Sequence, residues 1–478
     1  MKRETTIRLA SLALWGILAV AGVRPAFGQN PTDAPAKPAG RGIPSLGDAD
    51  IENTTEDPLK GWKADNGPLT GLQSPTLGTV QSPHNYWIPG FQYGSTIQNG
   101  DAGTGSTGWF SDHYFAANVS LLEQWSGAQF ALNYAGGGFV TTQTGQDNGW
   151  YQQLAVAQTF EGKRWQVQLL DQFSYLPVSQ FGFGGGTGLG LPGVGGTTGP
   201  SVPGVGGSVA PNQSIYAAVG PRYTNSWTTQ FTYQTSARSS VTVGGSYGLL
   251  RFTQSGNVDT DTYIGNVGYN YQLTKEDTIG AFYRFTAYHF QNEPEAIGDH
   301  IINVAYGRKI TRRLALQLNG GPEISTYRVA IGGQKRTTAG SGGANLTYGF
   351  QQGDVTLSYF HGLNSGSGVL IGSNSDQFTV TASRRVTRVW NVHGNFGYAK
   401  NRPLTSQTGA QGIGYDSFYA GAGVDRPITR EVNFSVAYTA QIQKASATVC
   451  TGTGCDNSST QHVITFNLQW HTRPLVLP

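Results

Sequence analysis

The residues with the most chemistry to offer lie between Thr278 and Phe290. At two-residue spacing Phe282, Arg284, Thr286 and Tyr288 share one face of an extended segment with Gly280, while Ile279, Ala281, Tyr283, Phe285 and Ala287 share the other. A guanidinium between aromatic rings suits stacking on a sugar and hydrogen bonding to its hydroxyls, or the selection of anions. The same arginine could instead be neutralised by an acid such as Glu323 on a nearby strand and act only as filling. Both readings stay open at this stage.

No catalytic constellation accompanies it. The eight histidines are scattered, and no His-Glu-x-x-His, Gly-x-Ser-x-Gly or paired-carboxylate spacing occurs. Ser358 and His361 stand three residues apart on one extended segment, so their side chains face opposite ways and do not meet as nucleophile and base. Gly188-x-Gly190-x-x-Gly193 matches a dinucleotide fingerprint in form only, because Pro192 lies inside it and no helix follows. The expectation is a chain without enzymatic activity, cofactor or metal. Cys450 and Cys455 are the only cysteines, spaced C-x4-C in a polar stretch. In an exported chain they are expected to close a disulfide; two thiolates without a nearby histidine do not complete a tetrahedral metal site.

Composition decides which elements could hold such residues. Charged residues make up 12% of the 478 against about 25% in an ordinary globular protein, and glycine, at 68, is about twice as frequent as usual. Beyond residue 28 no run of apolar residues is long enough to cross a bilayer as a helix. Abundant Gly, Thr, Ser, Asn, Gln and aromatic residues fit strands with one face in lipid and the other in water.

The chain opens with Lys2, Arg3 and Arg8, an apolar stretch from Leu9 to Val23, and Ala26-Phe27-Gly28, which reads as a signal peptide over 1–28 cleaved between Gly28 and Gln29. Its removal takes away four positive charges and one negative, lowering the formal +3 to zero, so no bulk field recruits nucleic acid. Residues 29–86 carry many prolines without periodicity and are expected to form a periplasmic linker or a plug.

From residue 87 to 478 apolar and polar residues alternate with period two. Val432, Phe434, Val436, Tyr438, Ala440 and Ile442 oppose Asn433, Ser435, Ala437, Thr439, Gln441 and Gln443. Ala344, Leu346, Tyr348 and Phe350 oppose Asn345, Thr347, Gly349 and Gln351; His462, Ile464, Phe466, Leu468 and Trp470 oppose Val463, Thr465, Asn467, Gln469 and His471. The sequence apolar-Thr-basic recurs at Leu273-Thr274-Lys275, Ile310-Thr311-Arg312, Val386-Thr387-Arg388 and Ile428-Thr429-Arg430. A further turn near Gly353-Asp354 completes a hairpin repeat of about 40 residues with tight turns at one end and longer loops at the other. A β-propeller repeats at a similar length but uses four short strands per unit and has no lipid-facing stripe.

These signals predict an all-β fold, a transmembrane antiparallel up-and-down β-barrel of about 18 strands, with 16 as the alternative. Closure lets every backbone donor find a partner in lipid. Trp165, Tyr271, Tyr306, Trp390, Tyr398 and Trp470, near strand ends, are expected in interfacial girdles. Pore-lining candidates are Phe282, Arg284, Thr286, Tyr288, Asn433, Thr439 and Gln441. The Gly/Pro-rich insertion 181–211 either folds into the barrel mouth or forms a low-complexity surface loop.

The architecture and its basic turns resemble the large porin-like β-barrel families of Gram-negative bacteria, some of whose members accompany exopolysaccharide export. Phe466, Leu468 and Trp470 resemble the assembly signal of a last outer-membrane strand. The resemblance implies an outer-membrane location, contact with outer-membrane lipid and the assembly machinery, and passive passage of small hydrophilic, mainly neutral solutes. The alternative it implies is a plugged barrel serving as a surface scaffold or a component of polysaccharide export.

Overall fold

A computed structural model describes residues 69–70, 85–99, 108–142, 148–176, 221–253, 257–291, 293–331, 334–365, 371–404, 414–445, 458–473 and 475–476. The expected signal peptide over 1–28, most of the 29–86 segment, the 181–211 insertion and the Cys450/Cys455 pair lie outside these residues.

The described chain is built from strands: β1 (Tyr86–Asn99), β2 (Trp109–Trp125), β3 (Ala128–Thr141), β4 (Gly149–Glu161), β5 (Trp165–Leu176), β6 (Arg222–Ser236), β7 (Ser239–Phe252), β8 (Thr260–Gln272) and β9 (Asp277–Phe290). They continue as β10 (Ala296–Lys309), β11 (Leu314–Ile331), β12 (Gln334–Phe350), β13 (Gly353–Asn364), β14 (Ser373–Arg385), β15 (Asn391–Pro403), β16 (Tyr415–Pro427), β17 (Val432–Ala445), β18 (Ser458–His471) and the two-residue β19 (Leu475–Val476). Each strand pairs antiparallel with its sequence neighbours, and β1 pairs with both β2 and β18. β19 prolongs the β18 edge by pairing Leu475 with Trp87. The barrel is therefore closed with 18 strands, as the hairpin count predicts, and 16 is excluded.

The four Thr-basic turns share one geometry, which explains why they recur. The N–H of Leu273 donates to the Asp277 carbonyl, Ile310 to Leu314, Val386 to Trp390 and Ile428 to Val432, at 2.8–2.9 Å. Within each loop the threonine hydroxyl accepts from backbone N–H groups: Glu276 and Asp277 on Thr274, Arg313 on Thr311, Val389 and Trp390 on Thr387, Glu431 and Val432 on Thr429. The side chain thus satisfies donors that the turn leaves without a ladder partner. Replacing each threonine by alanine is expected to cost about 0.5–1.5 kcal/mol, and four such distant changes add. Urea unfolding midpoints in lipid vesicles check this, and an unchanged midpoint in the quadruple variant contradicts it.

Two loop-side connections stand out. After β9 the chain rejoins the ladder quickly, because Ala296 to Asp299 already pair opposite β9. Asp299 reads as a loop residue by polarity, yet it is buried on the inner face. β11 and β12 run to 18 and 17 residues and their ladder continues to Ile331↔Gln334, with an irregularity between Thr326 and Ile331, so this hairpin extends beyond its neighbours on the loop side.

Period-two alternation sorts the side chains as expected. On β18 Phe466, Leu468 and Trp470 are exposed outside, whereas Val463, Thr465, Asn467 and Gln469 are buried inside. The outer face ends in aromatic rows. On the loop side, tyrosine hydroxyls meet histidine Nδ1 atoms in three outward pairs, Tyr93–His113 at 3.0 Å, Tyr283–His300 at 2.7 Å and Tyr438–His462 at 2.7 Å. Near the tight turns stand Trp165, Tyr271 and Trp470, all exposed, and Trp390, over which the Arg426 guanidinium lies at 5.0 Å. From His462 to Trp470 the strand covers about 26 Å, roughly 20 Å along an axis tilted by ~40°, so these residues span most of an apolar band of about 25 Å.

Candidate functional site

The inner wall is mainly amide and hydroxyl. Its side chains bond one another across strands: Gln98 donates to Asp112 (2.7 Å) and receives from Gln461 (3.0 Å), and Ser341 donates to Asn303 (3.2 Å), which donates to Asn319 (3.3 Å). Thr228 and Ser246 bond at 2.9 Å, and Ser375 donates to Asn401 at 2.8 Å. Such pairs satisfy buried polar groups and hold the wall in shape without a ring of one charge.

Apolar clusters interrupt this wall, and the two richest in aromatic rings lie toward the loop side. The first packs Tyr114 of β2 at a tilt against Phe139 of β3 (5.2 Å) and edge-on against Tyr151 of β4 (5.8 Å), with all three rings buried. The second joins Tyr288 and Phe290 of β9, Ile297 of β10, Tyr327 of β11 and Leu363 of β13 to Val258 and Ile371 from connections. The clusters are centred on β3 and β11, eight strands apart in an 18-strand ring, and so stand on nearly opposite walls.

The second cluster carries the β13–β14 connection inward. Tyr288 Oη donates to the Leu363 carbonyl (3.4 Å), and the Leu363 N–H donates to Glu323 Oε1 (3.0 Å). Leu363 thus touches β9, which is four strands away, and β11, which is two away. Gly372 adopts φ +73°, and a Cβ there would lie 2.6 Å from Ile297 Cδ1 and 2.8 Å from Leu404 Cδ1. Glycine is needed here both for the left-handed backbone and for the close approach.

Below this cluster the inner face carries a small charged group. The Arg284 guanidinium lies 5.2 Å over the Phe282 ring and interacts electrostatically with Asp299. Asp299 receives a hydrogen bond from Ser325 (3.1 Å) and lies within bonding reach of Glu323. The sequence reading left Arg284 open between a lumenal role and neutralisation by an acid such as Glu323; the acid that interacts with it is Asp299, while Glu323 accepts from the Leu363 N–H. Replacing Arg284 by glutamine leaves two acids without their cation. The expected result is a shift toward cations of about twofold or more in permeability ratio, read from reversal potentials in a salt gradient. No shift, or one toward anions, contradicts this.

Phe282, Thr286 and Tyr288 are buried on the inner face, and Arg284 is half-buried on the same side. Gln441 is also buried inside, and Asn433 and Thr439 share its face of β17, with Thr439 opposite Gly421 and Val463. Two walls of one lumen thus hold the seven candidates, but β9 and β17 lie far apart round the ring and form no single cluster. Ser358 and His361 fall on opposite faces; His361 bonds Asp376 at 2.7 Å on the outside.

No family model and no curated protein matches this chain. Solved structures similar to it include three Pseudomonas aeruginosa proteins. OpdQ has a TM-score of 0.41 at 8% identity, covering 82% of this chain and 99% of that one. OpdK with vanillate has a TM-score of 0.41 at 9% identity, covering 81% and 99%. OccK2 (OpdF) in complex with glucuronate has a TM-score of 0.42 at 7% identity, covering 81% and 98%. The solute of this chain has to be argued from its own walls.

Sequence reasoning left the 181–211 insertion open between the barrel mouth and a surface loop, and it did not single out the inward contacts of Leu363 and Ile371. The available signal was Ile371, an apolar residue beside a Gly/Ser-rich stretch.

Proposed function

We propose that this chain is a porin-like outer-membrane channel for passive passage of small hydrophilic, mainly neutral solutes. The observation that carries the reading is the closed ladder with apolar residues outside and Asn, Gln, Thr and Ser inside. Outer-membrane lipid meets the Phe466, Leu468 and Trp470 face, and the same last strand serves the assembly machinery. Phe282, Arg284, Thr286, Tyr288, Asn433, Thr439 and Gln441 line the path. Export under a leader cleaved between Gly28 and Gln29 and a Cys450–Cys455 disulfide belong to the same reading.

The inner wall is built mainly of neutral amides and hydroxyls, so a neutral hydroxylated solute exchanges water for amides without a large charge penalty. Liposome swelling tests this with sugars of increasing size. Uptake of a small neutral sugar above empty vesicles is expected, and its absence from correctly folded barrels overturns the channel reading. A second reading, a plugged barrel acting as surface scaffold or polysaccharide-export component, draws on the apolar cluster at Leu363 and Ile371. It predicts no swelling with any sugar.

A further inference from the structure

Leu69 and Thr70 lie inside the barrel, far in sequence from everything they touch. Thr70 is fully buried, and both its backbone groups and its hydroxyl are engaged by two amides of β8. Its N–H donates to Asn270 Oδ1 (3.2 Å), its hydroxyl accepts from Asn270 Nδ2 (2.8 Å), and its carbonyl accepts from Asn266 Nδ2 (2.6 Å).

The wall beneath has no side chains at the points of contact. A Cβ on Gly268 would lie 2.4 Å from Thr70 Cβ, one on Gly280 would lie 2.7 Å from Thr70 Cγ2, and one on Gly307 would lie 2.9 Å from Leu69 Cδ2. These glycines occupy the inner faces of β8, β9 and β10 near the tight turns, the same end at which β1 enters the ladder. Ala305, paired with Gly280, continues the shallow patch. Three successive strands thus yield room at one level, and two asparagines read the main chain of whatever fills it.

We propose that the inner face of β8–β10 is a binding niche for a short peptide segment, and that its occupant is the chain's own Leu69–Thr70, held as a latch at the tight-turn end of the lumen. A carbonyl acceptor, an N–H donor and a hydroxyl on one residue are the complement of Asn266 and Asn270. The Leu69 side chain packs over Gly307, which a free polar solute would not do. The conduit is then narrowed at two levels, by the Leu363–Ile371 cluster on the loop side and by Thr70 on the other. Only this consequence for permeation rests on the channel reading.

The test uses the full-length chain in lipid vesicles with Cys450→Ser and Cys455→Ser. Thr70→Cys combined with Gly280→Cys brings two Cβ positions to a separation that a disulfide tolerates. Thr70→Cys combined with Thr439→Cys on the distant wall is the control. Oxidation is expected to cross-link the first pair and not the second, read by mass and gel mobility. Asn266→Ala with Asn270→Ala, added to the first pair, is expected to reduce the yield and, in the cysteine-free chain, to raise single-channel conductance roughly twofold. Equal cross-linking of both pairs, no cross-linking of either, or a cross-link yield unchanged by the asparagine substitutions overturns the latch. A failed cross-link in a barrel that swells liposomes sinks the latch alone, whereas a specific cross-link in a barrel that passes no sugar sinks the channel reading alone.

Discussion

An arginine at Val436 is expected to lower folding stability in lipid by about 2–4 kcal/mol, a roughly 30- to 700-fold loss in the folded-to-unfolded ratio. Val436 pairs with Phe466 and stands midway between the row of Val432 and Trp470 and the row of Ala440 and His462. Its side chain therefore meets the middle of the apolar band, where a guanidinium finds neither water nor a phosphate. Thr439→Arg, on the opposite face of the same strand, is expected to change stability by less than about 1 kcal/mol, because that side chain points into the lumen. Urea titration of both variants refolded into vesicles measures the difference. Equal costs at the two positions would mean that the faces are not distinguished by their surroundings.

Truncating the inward connection should alter permeation more than any change on the outer face. Leu363→Ala with Ile371→Ala removes two apolar side chains that hold the β13–β14 connection against β9, β10 and β11. The ladder that closes the barrel does not use them, so the barrel survives while the mouth loosens. Single-channel conductance is expected to rise roughly twofold or more, with larger sugars entering in swelling assays. Phe418→Ala, on the exposed outer face beside Tyr398, serves as the control and leaves conductance unchanged. Unchanged conductance in the double variant would show that the cluster lies off the permeation path.

Nearly every strand is legible in the sequence because lipid and water on opposite faces impose the same period-two alternation throughout. The alternation over 278–290 and 432–443 falls inside β9, Asp277–Phe290, and β17, Val432–Ala445, to within two residues at either end. Turns are equally legible, since the hydroxyls of Thr274, Thr311, Thr387 and Thr429 each satisfy backbone donors in the same way. Lumenal contacts are less so, because they join residues whose partners are set by register and not by local pattern. Asp299 looks like a loop residue until pairing with Thr286 turns it inward beside Arg284. Gly268, Gly280 and Gly307 carry no message singly; only adjacent strands bring them together into the floor under Leu69 and Thr70.

The most direct test of the closed, two-faced barrel is single-cysteine labelling from Val432 to Gln443, with Cys450 and Cys455 replaced by serine. Water-soluble thiol reagents are expected to modify positions 433, 435, 437, 439 and 441, and lipid-soluble ones positions 434, 436, 438 and 440. Labelling at a spacing of three to four residues, or without regard to position, would contradict the account at its base.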